Sequence, residues 1–343
     1  MVGTLRLMGF FDERLAEGRA VLAPMAGFTD APFRRLCREQ GSAWAVTEMV
    51  SAKALAGGDE RTLAIAAPYP GEPDLVIQLF ASDPDDAARA AELLVERFDP
   101  VALDLNMGCP VKKIVNKGCG VELMGDPNLA ARIVKAMREA GGVPVSAKLR
   151  LGWDTVTLDP VADALIEAGV DALAVHGRTA QQKYDGEADW TPIAALAARS
   201  PVPVLGSGDV TDGVGARSRM AHGVGVMIGR GALGRPWTFA EVLRGERPSV
   251  EAMVRVLVRH AELHVAWYGS EAGLRGLRGH LAKYAMQLDG SGSLRNAFVQ
   301  VNTVQDVVQA LASLGYPVEP RANPPERPAH AHASVDAWAN AGD

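Results

Sequence analysis

Short apolar runs alternate with longer amphipathic stretches along most of this chain. Eight of the runs read as buried strands: Ala20–Ala23, Ala43–Val46, Leu75–Leu79, Val101–Leu105, Val143–Leu149, Ala172–Val175, Val202–Leu205 and Val224–Ile228. Between them, Pro84–Phe98, Pro127–Ala140, Leu158–Ala168 and Thr191–Ala198 repeat their apolar residues at helical spacing, and Ser82 or Asp83 is available to cap the first. Strand and helix in alternation imply a parallel sheet. Eight strands within roughly 220 residues, near the ~250 typical of the fold, predict an α/β chain closed into a (β/α)8 TIM barrel rather than an open doubly wound sheet. After about residue 245 the strand pattern stops, and Val250 to Leu314 reads as three or four helices broken at Gly269, Gly273, Gly290 and Gly292. The expected organisation is a barrel over 1–244, a smaller all-helical domain over 245–317, and a disordered tail over 318–343.

Composition narrows the function classes. With 343 residues, 48% of them hydrophobic, the chain can bury a large core. Cys37, Cys109 and Cys119 form no CxxC pair, which argues against a disulfide scaffold and a structural zinc site, so no metal is expected. His330 and His332 stand isolated in the tail and read as inert. Charged residues interrupt the N-terminus, and no apolar run reaches the about 18 residues of a membrane span, so a cytoplasmic monomer is expected. A net charge of −6 gives no global case for binding nucleic acid, and any such role must rest on a local basic surface.

In a barrel of this kind the chemistry sits at the C-terminal ends of the strands. Polar residues gather at those ends: Pro24-Met25-Ala26, Glu48, Gln78, Asn106 with Cys109, Lys148 with Arg150, His176 with Arg178, Ser207-Gly208-Asp209, and Gly229-Arg230. Gly108 and Pro110 place Cys109 on an ordered loop, where it can do chemistry, although the local sequence suits a small buried hydrophobe equally well. The glycine-rich turns at the seventh and eighth strand ends suit a phosphate, with backbone N–H groups of Gly208, Gly229 and Arg230 pointing at it and the Arg230 guanidinium as a cationic fork. Either turn alone could be a tight turn and no more; their pairing argues otherwise. Lys148 projects an ammonium into the mouth, where the N1–C2=O edge of a flavin would balance it, and Gln78 can bond another polar edge of the same ring. His176 reads equally as a packing residue.

Together, Ala23-Pro24-Met25-Ala26-Gly27 with Thr29-Asp30, Thr47-Glu48-Met49, Asn106-Met107-Gly108-Cys109-Pro110, Lys148-Leu149-Arg150-Leu151-Gly152-Trp153, His176-Gly177-Arg178-Thr179 and Met227-Ile228-Gly229-Arg230-Gly231 carry a resemblance. Over residues 20 to 290 the chain resembles the tRNA-dihydrouridine synthase family, flavoenzymes that use NADPH to reduce the C5=C6 bond of uridines in transfer RNA. The resemblance implies that Pro24, Met25, Ala26, Gln78, Lys148, His176, Ser207, Gly208, Asp209, Gly229 and Arg230 hold FMN. It makes Cys109 the catalytic acid, and it has Asn106 and Arg178 address the uridine. Flavin N5 would give hydride to C6 while the Cys109 thiol, protonated at neutral pH, protonates C5 from the opposite face. The uridine must leave its stack to enter the mouth.

Transfer RNA is the expected partner. Lys112 and Lys113 beside Cys109 suit a polyanion, and between residues 275 and 295 Arg275, Arg278, Lys283 and Arg295 face a single acid, Asp289. In isolation that set would be an ordinary solvated helix face. Two positions depart from the family pattern. Ser207 stands where Asn is usual, which shortens the reach of a flavin contact, and Val121-Glu122 replaces small residues after the catalytic loop. Competing readings are a small-molecule FMN oxidoreductase of the dihydroorotate dehydrogenase type, for which the basic helical region would be superfluous, and a non-catalytic RNA-binding protein, which would not be yellow.

Overall fold

The computed structural model describes residues 9–288 and 292–320; Asp289, Gly290, His330 and His332 lie outside the described residues. Nine parallel strands form one sheet: β1 (Val21–Leu22), β2 (Ala45–Val46), β3 (Val50–Ser51), β4 (Leu75–Phe80), β5 (Ala102–Met107), β6 (Val145–Arg150), β7 (Ala172–His176), β8 (Val204–Ser207) and β9 (Gly225–Ile228). β1 pairs with both β2 and β9, and β2 pairs with β4, so the sheet closes on itself. The eight expected strands are all present. The ninth, β3, pairs Val50 with Leu79 and is the second stave resumed after an interruption at Thr47-Glu48-Met49.

Alternation sorts the side chains. Val21, Val46, Val76, Ala102, Ala172, Ala174, Leu205 and Met227 join Phe11 and Trp44 in a compact inner core. The helix Phe10–Ala16 delivers Phe11 against Trp44, with ring centres 5.5 Å apart, and so fills the N-terminal end of the barrel. Leu22, Ala45, Ile77, Leu103, Ala147, Val175 and Val226 belong instead to the large core shared with the outer helices. The helix Pro84–Phe98 starts where expected, with Asp83 as its cap, accepting from Asp85 N and Asp86 N.

Beyond Gly245 the helices Val250–Tyr268, Ser270–Leu288, Ser293–Phe298 and Val304–Ser313 follow. They share a core of their own, in which Trp237, Leu257, Leu277, Tyr284, Phe298 and Leu311 are buried. Gly273 does not break a helix, contrary to expectation. It lies inside Ser270–Leu288 at a close crossing, where a Cβ would stand 2.9 Å from the carbonyl oxygen of His264. Among the described residues, no helix is long and apolar enough to cross a membrane.

Candidate active site

One cavity of about 1100 Å³ opens at the C-terminal end of the barrel. Its walls include Pro24, Met25, Ala26, Gln78, Asn106, Cys109, Lys112, Lys148, His176, Arg230 and Lys283. Ser207, Gly208, Asp209, Gly229, Arg178, Lys113, Arg275 and Arg278 do not line it.

The register explains the floor. Gln78 on β4 lies level with Asp104 on β5, and Asp104 with Ser146 on β6; one step further toward the mouth, Asn106 lies level with Lys148. Side chains on that shared face bond in sequence: Gln78 Nε2 donates to Asp104 Oδ2 at 2.7 Å, Ser146 Oγ to Asp104 Oδ1 at 2.6 Å, and Asn106 Nδ2 to Gln78 Oε1 at 2.8 Å. Asn106 Oδ1 accepts from Cys109 N at 3.0 Å and Gly108 N at 3.3 Å, an Asx turn that shapes the loop carrying the thiol. β5 therefore runs two residues past the expected Leu105, and the Asn106 side chain is engaged in building the site.

Cys109 is half-buried at the cavity wall. Burial pushes its thiol above the ordinary value, opposed by the Val111 backbone N–H and by the charges of Arg150 and Lys148. At neutral pH it is a thiol with a proton to give, and the two cations favour the thiolate left behind. Lys148 moves the other way: burial and the neighbouring Arg150 bring it down to about 8, while Asp104 and Cys109 resist. Its charge is costly until an anionic or polarised group arrives.

His176 is brought down to about 2, by burial first and then by Lys148, Arg150, Arg178 and Arg230, so it is neutral at any working pH. Arg178 Nη1 lies 3.3 Å from His176 Nε2, and an arginine can only donate, so Nε2 accepts and the ring proton sits on Nδ1. Arg178 itself is buried. It donates to both oxygens of Asp209 at 2.8 and 2.7 Å and to the carbonyls of Asp185 and Gly186, tying β7 to the turn after β8. Gly208, at φ +127, packs where a Cβ would stand 2.5 Å from that of Ala188 and 3.4 Å from His176 Cδ2. Arg230 is exposed at the rim, its guanidinium 4.0 Å from the ring centre of Tyr184.

Three contributors carried no assigned role in the sequence. Arg150 donates to Gly108 O at 2.8 Å, Thr179 O at 2.8 Å and Lys183 O at 2.9 Å, stapling the Cys109 loop to the loop after β7. Asp104 organises the floor. Glu48, in the interruption between β2 and β3, accepts from Gly27 N at 2.5 Å and fixes the Met25–Gly27 segment; burial pushes its carboxyl up to about 7. A polar residue amid apolar strand neighbours was the signal for Asp104, and a carboxylate between Thr47 and Met49 for Glu48.

On the helical side, Lys283 reaches the cavity and Arg275 is exposed, whereas Arg278 is half-buried and donates to Val301 O at 3.5 Å. Lys112 and Lys113 are exposed on the short helix Lys112–Val115.

The family profile described as Dihydrouridine synthase (Dus) matches residues 21–315. The tRNA-dihydrouridine synthase B of Pseudomonas aeruginosa is 40% identical over 310 residues, covering 86% of this chain and 91% of that protein. That of Xanthomonas axonopodis pv. citri is 39% identical over 81% of this chain and 86% of its own length. A probable tRNA-dihydrouridine synthase of Rhodobacter capsulatus is 38% identical over 77% and 85%. A profile spanning the whole barrel and the helices after it, with relatives matched nearly end to end, makes this chain a member of the dihydrouridine synthase family and an oxidoreductase.

Proposed function

We propose that this protein reduces the C5=C6 bond of uridines in transfer RNA to 5,6-dihydrouridine, with FMN as cofactor, NADPH as electron donor and Cys109 as proton donor. The observation that carries the proposal is the pairing across one cavity of a protonated thiol, Cys109, with a partly desolvated ammonium, Lys148. The donor set suits FMN. Lys148 would meet the N1–C2=O edge, Gln78 has one N–H left over after bonding Asp104, and the Pro24–Ala26 segment supplies wall and main chain. His176 Nδ1–H and Arg230 would face the phosphate, with the turns at Ser207-Gly208-Asp209 and Gly229 behind them.

Held there by these residues, reduced FMN would supply the hydride that C6 takes up. The residues do the rest. Cys109 Sγ gives its proton to C5, completing the addition of two electrons and two hydrogens, and Arg150 and Lys148 stabilise the thiolate until solvent reprotonates it. Asn106 holds the Cys109 loop in place, and Arg178 acts through His176 and Asp209 rather than on the base. Lys112, Lys113, Lys283 and Arg275 would steer and position the RNA through its phosphates, with the region 245–317 as the clamp.

Purified protein supplied with NADPH and transfer RNA lacking dihydrouridine should form dihydrouridine, read by nucleoside mass spectrometry. Flavin-loaded protein that oxidises NADPH yet leaves every uridine intact would overturn the reading.

A further inference from the structure

The helix Val250–Tyr268 meets the barrel at a buried group of imidazoles and one carboxylate that the reduction does not use. His260 and His264 sit four residues apart, so both rings face the same way, toward the helix Ala31–Glu39 and its cap Asp30. One donor atom from each of Asp30, His260 and His264 lies within 4.8 Å of the others. All three rings, His280 included, are nearly inaccessible, at 0%, 3% and 3% exposure for His260, His264 and His280.

The far side of each group is already held. His264 Nδ1 donates to Gly273 O at 2.9 Å, which turns Nε2 toward Asp30 Oδ2, 2.8 Å away. His260 Nδ1 bonds the Tyr284 hydroxyl at 3.2 Å, which leaves Nε2 buried with no hydrogen-bond partner among the described residues. Asp30 Oδ1 accepts from Phe33 N at 3.0 Å, fixing the carboxylate, and the Tyr268 hydroxyl bonds the same side chain. His280 Nε2 bonds Phe28 O at 3.2 Å, and its Nδ1 is likewise unpartnered among the described residues. An imidazole whose second nitrogen is fixed by a carbonyl or hydroxyl is the arrangement of metal-bound histidines, and an unpaired buried nitrogen is costly without some occupant.

We propose that Asp30, His260 and His264 bind a divalent transition metal, zinc by donor type, and that the ion clamps the helical region onto the barrel beside the Pro24–Thr29 segment. Two imidazoles and a carboxylate match the nitrogen and oxygen preference of zinc and leave a fourth position for water or the Tyr268 oxygen. Tetrahedral bonds of about 2.0–2.2 Å put ligand atoms roughly 3.4 Å apart, so His264 Nε2 and Asp30 Oδ2 open from 2.8 Å to admit the ion while the His260 ring closes on it, within rotamer adjustment of the side chains. Entry is from the Asp30 side, whose side chain keeps 15% exposure. The ion displaces the proton between His264 Nε2 and Asp30. The expectation of no metal came from the cysteines and the tail; the missed signal was the H-x-x-x-H spacing at 260 and 264.

The test uses the full chain carrying His330→Ala and His332→Ala, so that tail histidines cannot contribute. After chelation and removal of the chelator, zinc should bind at one equivalent per chain, and the melting temperature should rise with it. X-ray absorption of the zinc-loaded protein should show nitrogen and oxygen neighbours with imidazole scattering and no sulfur. His264→Gln should lower zinc affinity at least tenfold while keeping the circular dichroism of the parent. Absence of stoichiometric uptake by the parent, sulfur in the zinc shell, or unchanged affinity in folded His264→Gln would each overturn the proposal and leave a plain His264–Asp30 ion pair.

Discussion

In the proposed reaction Cys109 and Lys148 would divide the work by their opposite responses to burial. Burial favours the protonated thiol, and on this proposal a developing negative charge would draw its proton away, so removing it should affect one half of the reaction only. Cys109→Ala is expected to slow dihydrouridine formation by about 10²–10⁴, the range for losing a positioned acid, while bound flavin is still reduced by NADPH at close to the parental rate. Stopped-flow absorbance for the flavin and mass spectrometry for the nucleoside separate the two, and equal losses in both would make Cys109 structural. Lys148 is an ammonium that burial and Arg150 disfavour, and a flavin edge would restore it. Lys148→Met should weaken flavin binding by about 10- to 100-fold, the worth of one charge-assisted hydrogen bond. The same lysine gives a pH signature in the flavin-free protein. Its folded value of about 8 lies below the unfolded 10.5, so between the two the unfolded chain binds the extra proton and stability rises with pH. Below 8 both states are protonated and this slope vanishes. Denaturant titrations from pH 7 to 10.5 should show the rise in the parent and a flatter curve in Lys148→Met.

The strands carry these residues to one end because every stave is parallel, and the alternation that predicts the staves also predicts their mouth. That much was legible, since Leu75–Leu79 is an apolar run with the single polar residue Gln78 near its end, and Val145–Arg150 alternates apolar residues with Ser146, Lys148 and Arg150 on the other face. What joins the ends was not. The bonds from Arg150 to Gly108, Thr179 and Lys183 and from Arg178 to Asp209 cross between loops distant in sequence, and no local pattern reports a partner at that separation. The second stave was expected and is present, but its resumption at Val50–Ser51 went unread for a different reason: Thr47-Glu48-Met49 breaks the ladder so that Glu48 can turn to Gly27, and a two-residue strand leaves too short an alternation to read. Gly273 looked like punctuation because close helix packing and helix ends both select glycine. Gly234 shows the same packing between elements. At φ +70 it follows the turn after β9, where a Cβ would collide with the main chain of Lys283 on Ser270–Leu288. Gly234→Ala should cost about 1–3 kcal/mol in denaturant unfolding. Because Lys283 moves with that helix, it should also weaken transfer RNA binding while flavin content stays at the parental level; parental RNA affinity in the destabilised variant would uncouple that packing from docking.

At the scale of the whole molecule, for a chain with a formal charge of −6 to act on transfer RNA as proposed, attraction has to be local and repulsion kept at a distance. The structure concentrates cations at the cavity rim. Lys112 approaches it from the Cys109 loop and Lys283 from the helical side, placing one positive group on either bank of the mouth. Arg278 is a poorer choice for testing this than the sequence suggested, since it is half-buried against Val301 O, and reversing it would disturb packing before it reported on RNA. The informative variant is Lys112→Glu with Lys283→Glu. It should bind transfer RNA more weakly than the parent and oxidise NADPH unchanged in the absence of RNA, because neither side chain is needed to hold the flavin. For every phosphate no longer neutralised, the dependence of log affinity on log salt should flatten by about 0.7 to 0.9. The slope discriminates better than the affinity alone. A general loss of folding would lower affinity without changing the number of counterions released per bound molecule, whereas freeing two phosphates from their lysines must change that number. Filter binding from low to moderate salt measures both, and a double reversal with parental slope and affinity would put the RNA on another face of the protein.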